Sequence, residues 1–258
     1  MASAFLEQAV DSVLDQTLLP KELLLVDDAS SDGGKTKDLI ESLKKKILEK
    51  NNGITVLTLY HDINTGPGGT RNSGWNLATQ PWLAFLDADD AWHPRKLEIS
   101  CKWLKDHVDA VMLGHLTQAL AKNAGIPQLK SSHSMQGERI SFLQMVIANR
   151  FFTRTVMIKR DISLRFKDKL FTEDYLLWLE VVLADMPAYV LNETLAFSFR
   201  PEFSAGGYSG QLWAHEKKEL RTWVYLYSAN KISFPTLCIA IPWSCIKYIR
   251  RVLNGYFR

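Results

Sequence analysis

Two short apolar runs in this chain stop abruptly at aspartates, and those junctions constrain the fold more than any other feature. Residues 23–26 run into Asp27 and Asp28, and residues 82–86 run into Asp87, Asp89 and Asp90. An apolar run of this length reads as a buried strand, being too short for a helix. Carboxylates crowded at its end repel one another, and burial would push their pKa values up. Something positive is therefore expected where these strand ends lie.

The segments between the strands carry helical periodicity. Over residues 3–16, Phe5, Leu6, Ala9, Val10, Val13 and Leu14 share one face. Over 35–50, Leu39, Ile40, Leu43 and Ile47 turn inward behind a lysine-rich outer face. The pattern predicts a strand at 54–59, helices at 70–79 and 94–106, and a strand at 108–113, with Pro94 suited to a first helical turn. Beyond it come a polar loop at 119–137, a helix at 138–149, a strand at 155–159, an apolar helix at 173–184 and a strand at 194–199. A Gly-rich loop at 200–210 and helix to the end complete the reading. Strands alternating with helices predict an α/β fold with a mostly parallel central sheet flanked by helices. Ligands of such sheets bind at the carboxyl ends of strands, so the two acidic ends point to one site.

A content of 47% hydrophobic and 23% charged residues suits a globular core, and a net charge of +3 gives no field that argues for nucleic acid. Cys101, Cys238 and Cys245 lack zinc-like spacing and read as reduced thiols. Residues 1–20 show no secretory pattern. The longest apolar stretch, 232–246, contains Pro235 and Pro242 and is shorter than the roughly 20 residues a membrane span needs. A cytoplasmic location, or the inner face of the cytoplasmic membrane, is the expectation.

Four stretches carry chemistry. Asp87 and Asp89 stand two apart, so in an extended segment they share a face. A divalent ion carrying a diphosphate takes only one or two protein carboxylates, which this pair supplies; the plainer reading is a solvated acidic turn. In LLLVDDASSDGG, residues 23–34, Asp28 is placed to accept from the N–H of a nucleobase, or else to cap, as Asp32 does in the plainer reading. In NTGPGGTRNSG, residues 64–74, glycines permit close approach of a ligand, and Arg71 suits a base or a phosphate. The stretch is neither a P-loop nor G-x-G-x-x-G. In FTEDYLLW, residues 171–178, Glu173 and Asp174 open a helix whose dipole favours ionised carboxylates. Arg200, ahead of the Gly-rich loop, suits a diphosphate under a closing lid or a surface ion pair. Trp75, Trp82, Trp92 and Trp103 read as core, and His93 and His115 as structural or functional alike.

Taken in order, VDDASSDG, NTGPGGTRNSG and FLDADDAWHP resemble the family 2 glycosyltransferases of the GT-A fold over about residues 7–97, and FTEDYLLW extends the likeness towards residue 200. The resemblance implies a Rossmann-like GT-A domain. It implies inverting transfer of a sugar from a nucleotide sugar, UDP-linked, to an acceptor hydroxyl in cell-surface polysaccharide or lipopolysaccharide synthesis. By position, it makes Asp28 and Arg71 nucleobase contacts and puts Asp87 at the ribose or the metal. Asp89 becomes the ligand of a Mn2+ or Mg2+ ion bridging the phosphates, and Asp174 the general base, with Glu173 its nearest rival. Family members open with a strand resembling V-S-V-I-I-P-x-Y-N, expected inside the sheet, and this chain starts after it. That departure keeps a non-catalytic nucleotide-sugar-binding remnant as the alternative. A nucleotidyltransferase would need the GPGGTR loop, residues 66–71, after the first strand rather than the second.

The resemblance suggests a catalytic domain over 1–200 and a separate region over 201–258. In SCIKYIRRVLNGYFR, residues 244–258, Lys247, Arg250, Arg251 and Arg258 occur without an acid, and Ile246, Ile249, Val252 and Leu253 recur at helical spacing. Such a segment reads as a basic amphipathic helix in contact with a membrane surface, or as a terminal helix packed on the domain. The expected partners are thus a nucleotide-sugar donor, a saccharide or lipid-linked acceptor, and a membrane surface.

Overall fold

A computed structural model describes residues 3–50, 53–121, 124–129, 136–199 and 212–256 of the chain. The first acidic junction sits in a β–α–β unit. Strand β1 (Glu22–Asp27) pairs in parallel with β2 (Thr55–Tyr60), and α2 (Lys35–Glu49) connects them. Ile40, Leu43 and Ile47 of α2 pack on Leu25, Val56 and Ile54, and Val10 of α1 (Ser3–Leu14) closes the same cluster. The apolar runs are strands because this layer covers them. Helix α3 (Gly66–Leu77) follows β2 and leads to β3 (Trp82–Ala84) and β4 (Asp90–Trp92), with the turn Asp87–Asp90 between the two strands.

The larger sheet has six strands. After α4 (Lys96–Asp106) come β5 (Met112–Ala119), β6 (Gly137–Arg139), α5 (Phe142–Ile147), β7 (Met157–Lys159), α6 (Glu173–Leu183) and β8 (Ala188–Ser198). The strand order is β3-β7-β5-β8-β4, with β6 also on β8. Only β5 and β8 run parallel in it; the other pairs are antiparallel. The α/β architecture is the expected one, but the sheet is mixed rather than mostly parallel. Strand β7 brings the chain back along β5 and so opposes it, whereas the long connection through α6 lets β8 run with β5. Among the described residues no ladder joins β1 to β3. The two sheets meet instead at a buried cluster against which Leu23, Trp82, Ala84 and Leu86 all pack, and through the Glu22 carboxylate, which accepts from the Thr79 backbone N–H at 2.9 Å and from Gln80 Nε2 at 3.1 Å.

Several boundaries differ from the sequence reading: β8 starts six residues before the strand expected at 194–199, β4 has no counterpart in that reading, and the final helix is two, α7 (Leu212–Ser228) and α8 (Phe234–Tyr256). Helix α3 starts at Gly66 rather than at residue 70 because its first turn is capped, as described below, and holds Pro67. The helix expected over 138–149 is split: Glu138 pairs with Val190 in the sheet, and Ser141 and Gln144 form a capping box that starts α5. The strand expected at 108–113 lies later, at β5, since Pro187 O holds Val111 N and Met112 N just ahead of it.

Helices α7 (Leu212–Ser228) and α8 (Phe234–Tyr256) share the core of α6. Trp223, Leu226, Ile232 and Ala240 lie in one buried cluster with Leu176, Trp178, Phe166 and Met145. Lys247 Nζ meets Glu219 Oε1 at 2.7 Å, and Arg251 Nη2 meets Glu216 Oε2 at 2.7 Å, so these two basic residues of α8 turn inward onto α7. Replacing Trp223, which is 1% exposed, by Ala should cost about 3–5 kcal/mol. Thermal unfolding followed by circular dichroism should stay a single, lowered transition; an independent C-terminal unit would give two.

Candidate active site

The cation demanded by the aspartates is Arg71. Helix α3 carries it into the angle between the end of β3 and the start of α6. Nη2 donates to both Asp87 oxygens, at 2.7 and 2.9 Å, and Nη1 lies 4.0 Å from Glu173 Oε1. Burial pulls the guanidinium pKa down, but Asp87, Asp174 and Glu173 outweigh it and leave it raised. Its carbon stands 5.5 Å from the centre of the Phe166 ring. That ring belongs to an edge-on aromatic group with Trp75, Phe85 and Trp178, which gives the cation a rigid floor.

Local sequence explains how α3 gets so close. Gly66 has φ +82°, a conformation few residues other than glycine adopt without cost. At Gly68 a Cβ would come within 2.6 Å of Lys167 O and 3.2 Å of Glu173 Cβ, so a larger residue would push α3 off the start of α6. Asn72 then locks the register: Nδ2 donates to Phe166 O at 2.8 Å and Oδ1 accepts from Phe166 N at 3.1 Å.

Asp28 holds the other end of α3. Its Oδ1 accepts from Thr65 N and Thr65 Oγ1, both at 2.8 Å, and faces His61 Nδ1 at 2.7 Å; its Oδ2 accepts from Gly66 N at 2.8 Å. His61 Nε2 lies 2.9 Å from Ser73 Oγ, two residues beyond Arg71. Burial pushes the Asp28 pKa up, but the bonds from His61, Thr65 and Gly66 prevail and bring it to about 2. A nucleobase N–H would have to share oxygens already engaged. Asp32 accepts from Thr36 N and Oγ1 and serves as a helix cap.

Asp174 is half-buried and Glu173 is 7% exposed. Asp174 Oδ1 accepts from Tyr175 N at 2.7 Å, and Oδ2 from Thr153 Oγ1 at 3.3 Å. Burial, then the charge of Asp174, raises the Glu173 pKa. Of the two, Asp174 presents the accessible carboxylate. The structure thus gathers Arg71, Asp87, Glu173 and Asp174, with Asp89 two residues from Asp87 in the same turn. Arg200 lies outside the described residues, as does the 201–210 loop.

Several partners gave no sequence signal. Thr153 and Arg154 form a single 3-10 turn, Thr153–Thr155, against the site. Arg154 Nε donates to Thr117 Oγ1 at 2.8 Å, and Nη1 lies 3.7 Å from Asp90 Oδ2. Burial drives Asp90 up to about 7, with Asp87 and Asp89 adding to the rise and Arg154 opposing it. His215 and Lys218 of α7 act electrostatically on Asp174 and Glu173 respectively. Nothing in a lone Arg-Thr pair or in an amphipathic helix marks these residues beforehand. Trp75, Trp92 and Trp103 are core residues, as expected, and Trp82 is half-buried.

Among the described residues no three His, Cys, Asp or Glu side chains gather into a protein-only metal cage. An ion that arrives with a diphosphate needs no such cage. The Asp87 side chain is 43% exposed although it holds Arg71, and with Asp89 in the same turn the pair fits an ion of that kind.

The folded-state pKa of Asp28 lies below its unfolded value. Its contribution is therefore complete above about pH 4 and is lost as pH falls through about 2. Asp28→Asn should cost on the order of 2 kcal/mol at neutral pH, and the gap to the unaltered protein should close between about pH 4 and pH 2. Denaturant titrations across that range check both statements.

Comparison with known proteins identifies the family. The family described as Glycosyl transferase family 2 matches residues 2–165. A protein of Bacillus subtilis named for teichuronic acid biosynthesis, the glycosyltransferase TuaG, is 26% identical over 255 residues, covering 98% of this chain and 92% of its own. The Escherichia coli UDP-Glc:alpha-D-GlcNAc-diphosphoundecaprenol beta-1,3-glucosyltransferase WfaP is 26% identical over 185 residues, 71% of this chain and 67% of its own. Among solved structures, S. aureus TarS in complex with UDP-GlcNAc superposes with a TM-score of 0.66 at 16% identity, covering 93% of this chain and 67% of that one. The mannosyltransferase PcManGT of Pyrobaculum calidifontis, in complex with GDP-Man and Mn2+, gives 0.62 at 14% identity, covering 98% and 76%. The first motifs, the strand-end aspartates and the shared fold lead to one conclusion: this chain belongs to glycosyl transferase family 2 and is a glycosyltransferase.

Proposed function

We propose that the enzyme transfers a sugar, with inversion, from a UDP-linked donor to an acceptor hydroxyl on a saccharide or lipid-linked saccharide during cell-surface polysaccharide synthesis. The observation that carries this reading is the convergence of Asp87, Glu173 and Asp174 on the buried Arg71 at the mouth of the sheet. The names of TuaG and WfaP support the acceptor class, and the UDP-GlcNAc bound to TarS supports the donor class.

Asp174 takes the acceptor proton. Its two oxygens are oriented by Tyr175 N and Thr153 Oγ1, and it is the accessible member of the pair. In-line attack on the anomeric carbon requires one such base within hydrogen-bond reach of the hydroxyl. Glu173 is the buried neighbour, its Oε1 4.0 Å from Arg71 Nη1, and it helps to hold the guanidinium in place. Arg71 faces the donor beside Asp87, and Asp28 fixes the loop from which α3 presents it. Arg200 is assigned to the diphosphate. A Mn2+ or Mg2+ ion held by Asp89 and Asp87 would supply positive charge to the departing diphosphate.

Asp174→Asn should lower kcat by about 10²–10⁴-fold with little change in donor KM. Glu173→Gln should cost much less, and Asp89→Ala should abolish the dependence of the rate on added manganese. Transfer assays with a panel of UDP- and GDP-sugars read all three. Full activity of Asp174→Asn would overturn the assignment of the base.

A further inference from the structure

Helix α8 turns the wrong face outward for an ordinary surface helix. Ile239, Trp243, Ile246, Ile249 and Leu253 are 66%, 38%, 54%, 55% and 52% exposed. Their spacing makes one stripe along a helix of 23 residues. The stripe continues onto α5, where Leu143 and Ile147 are 68% and 47% exposed and where Ile147 O accepts from Trp243 Nε1 at 3.0 Å. The cations that the sequence suggested would meet a membrane do the opposite: Lys247 and Arg251 point into the protein, onto Glu219 and Glu216. What remains outside is apolar surface with the exposed Arg250 beside it.

Charge decides what fits this face. No Asp or Glu follows Glu219 in the sequence, while Arg221, Lys231, Lys247, Arg250, Arg251 and Arg258 do. A second copy of the chain would bury the Arg250 of both protomers with no acid from α8 to pair with either. An anionic lipid surface accepts the cation and buries the stripe. No helix among the described residues is long and apolar enough to cross a membrane, so the stripe lies on the surface.

The position of the stripe gives it a use. Lys247, one residue past Ile246, stands 5.9 Å from the centre of the Tyr175 ring, and Tyr175 follows Asp174. His215, at the start of α7, feels the charges of both Arg251 and Asp174. The stripe-bearing helix therefore packs beside the start of α6, which carries the proposed base.

We infer that the outer face of α8, with Leu143 and Ile147, seats the enzyme on an anionic lipid surface by apolar insertion, and so presents the site to an acceptor whose lipid diphosphate is anchored there. This rests on the proposed transfer reaction for its purpose but not for the contact itself. Because the apolar area does most of the binding, salt should weaken the contact little, whereas a lysine-driven contact would be screened away.

Flotation of the full chain with vesicles of phosphatidylglycerol and phosphatidylethanolamine tests the contact. The unaltered chain should float at low and at high salt. Ile246→Glu/Ile249→Glu should stay in the soluble fraction, and Val108→Glu, an exposed position outside the stripe, should float normally. Transfer to a water-soluble acceptor should be equal in all three, while transfer to a vesicle-borne lipid-diphosphate saccharide should fall at least tenfold in the double variant alone. Absence of flotation, flotation lost in high salt, equal flotation of the double variant, or a dimer in sedimentation that the double variant breaks would each overturn the inference. Absence of transfer to the soluble acceptor by the unaltered chain would count against the reaction instead.

Discussion

One buried guanidinium decides the arrangement of this site. Asp87 arrives from a strand end, and Glu173 and Asp174 from a helix start; left alone, three carboxylates so placed would repel and take up protons. Arg71 lets them coexist. Buried ion pairs seldom add net stability over an apolar core. This one is better understood as the element that fixes where the negative charge lies.

The rest of the local structure serves to place that cation. Asp28 and His61 hold the start of α3, glycine at 66 and 68 lets the helix approach α6, and Asn72 pins it to the backbone of Phe166. A second layer lies behind the turn of aspartates. Arg154 ties Asp90 to Thr117, and the fully buried Lys96 stands 4.1 Å from the centre of the Trp92 ring, its pKa lowered to about 7 by desolvation. Lys96 Nζ finds no hydrogen-bond partner among the described residues, so the aromatic face is the contact that offsets part of the cost of its burial.

The C-terminal helices show how packing can reverse the meaning of a pattern. The periodicity that marks α8 as amphipathic is correct, but the partner of its basic side is the acidic face of α7. Glu216 and Glu219 are 1% and 4% exposed, and two buried carboxylates need cations more than a solvated membrane headgroup does. The apolar side is left outward as a consequence.

The alternation of apolar runs with helical periods determined the α/β class, and a run that stops at aspartate determined that a site lies at the strand ends. These follow from local rules: side-chain spacing, strand length and the repulsion of like charges. Glu173 and Asp174 were legible for the same reason, as acids opening a helix. Folding together decided what spacing cannot encode. It chose Arg71 as the cation at Asp87, engaged Asp28 with the first turn of α3, buried Glu173 while leaving Asp174 accessible, and brought Thr153, Arg154 and His215 to the site from distant segments. It also made the sheet mixed and turned Lys247 inward. Each of these depends on which residues meet across tens of positions, and burial, which sets charge and hydrogen-bond demand, exists only once those surfaces are in contact.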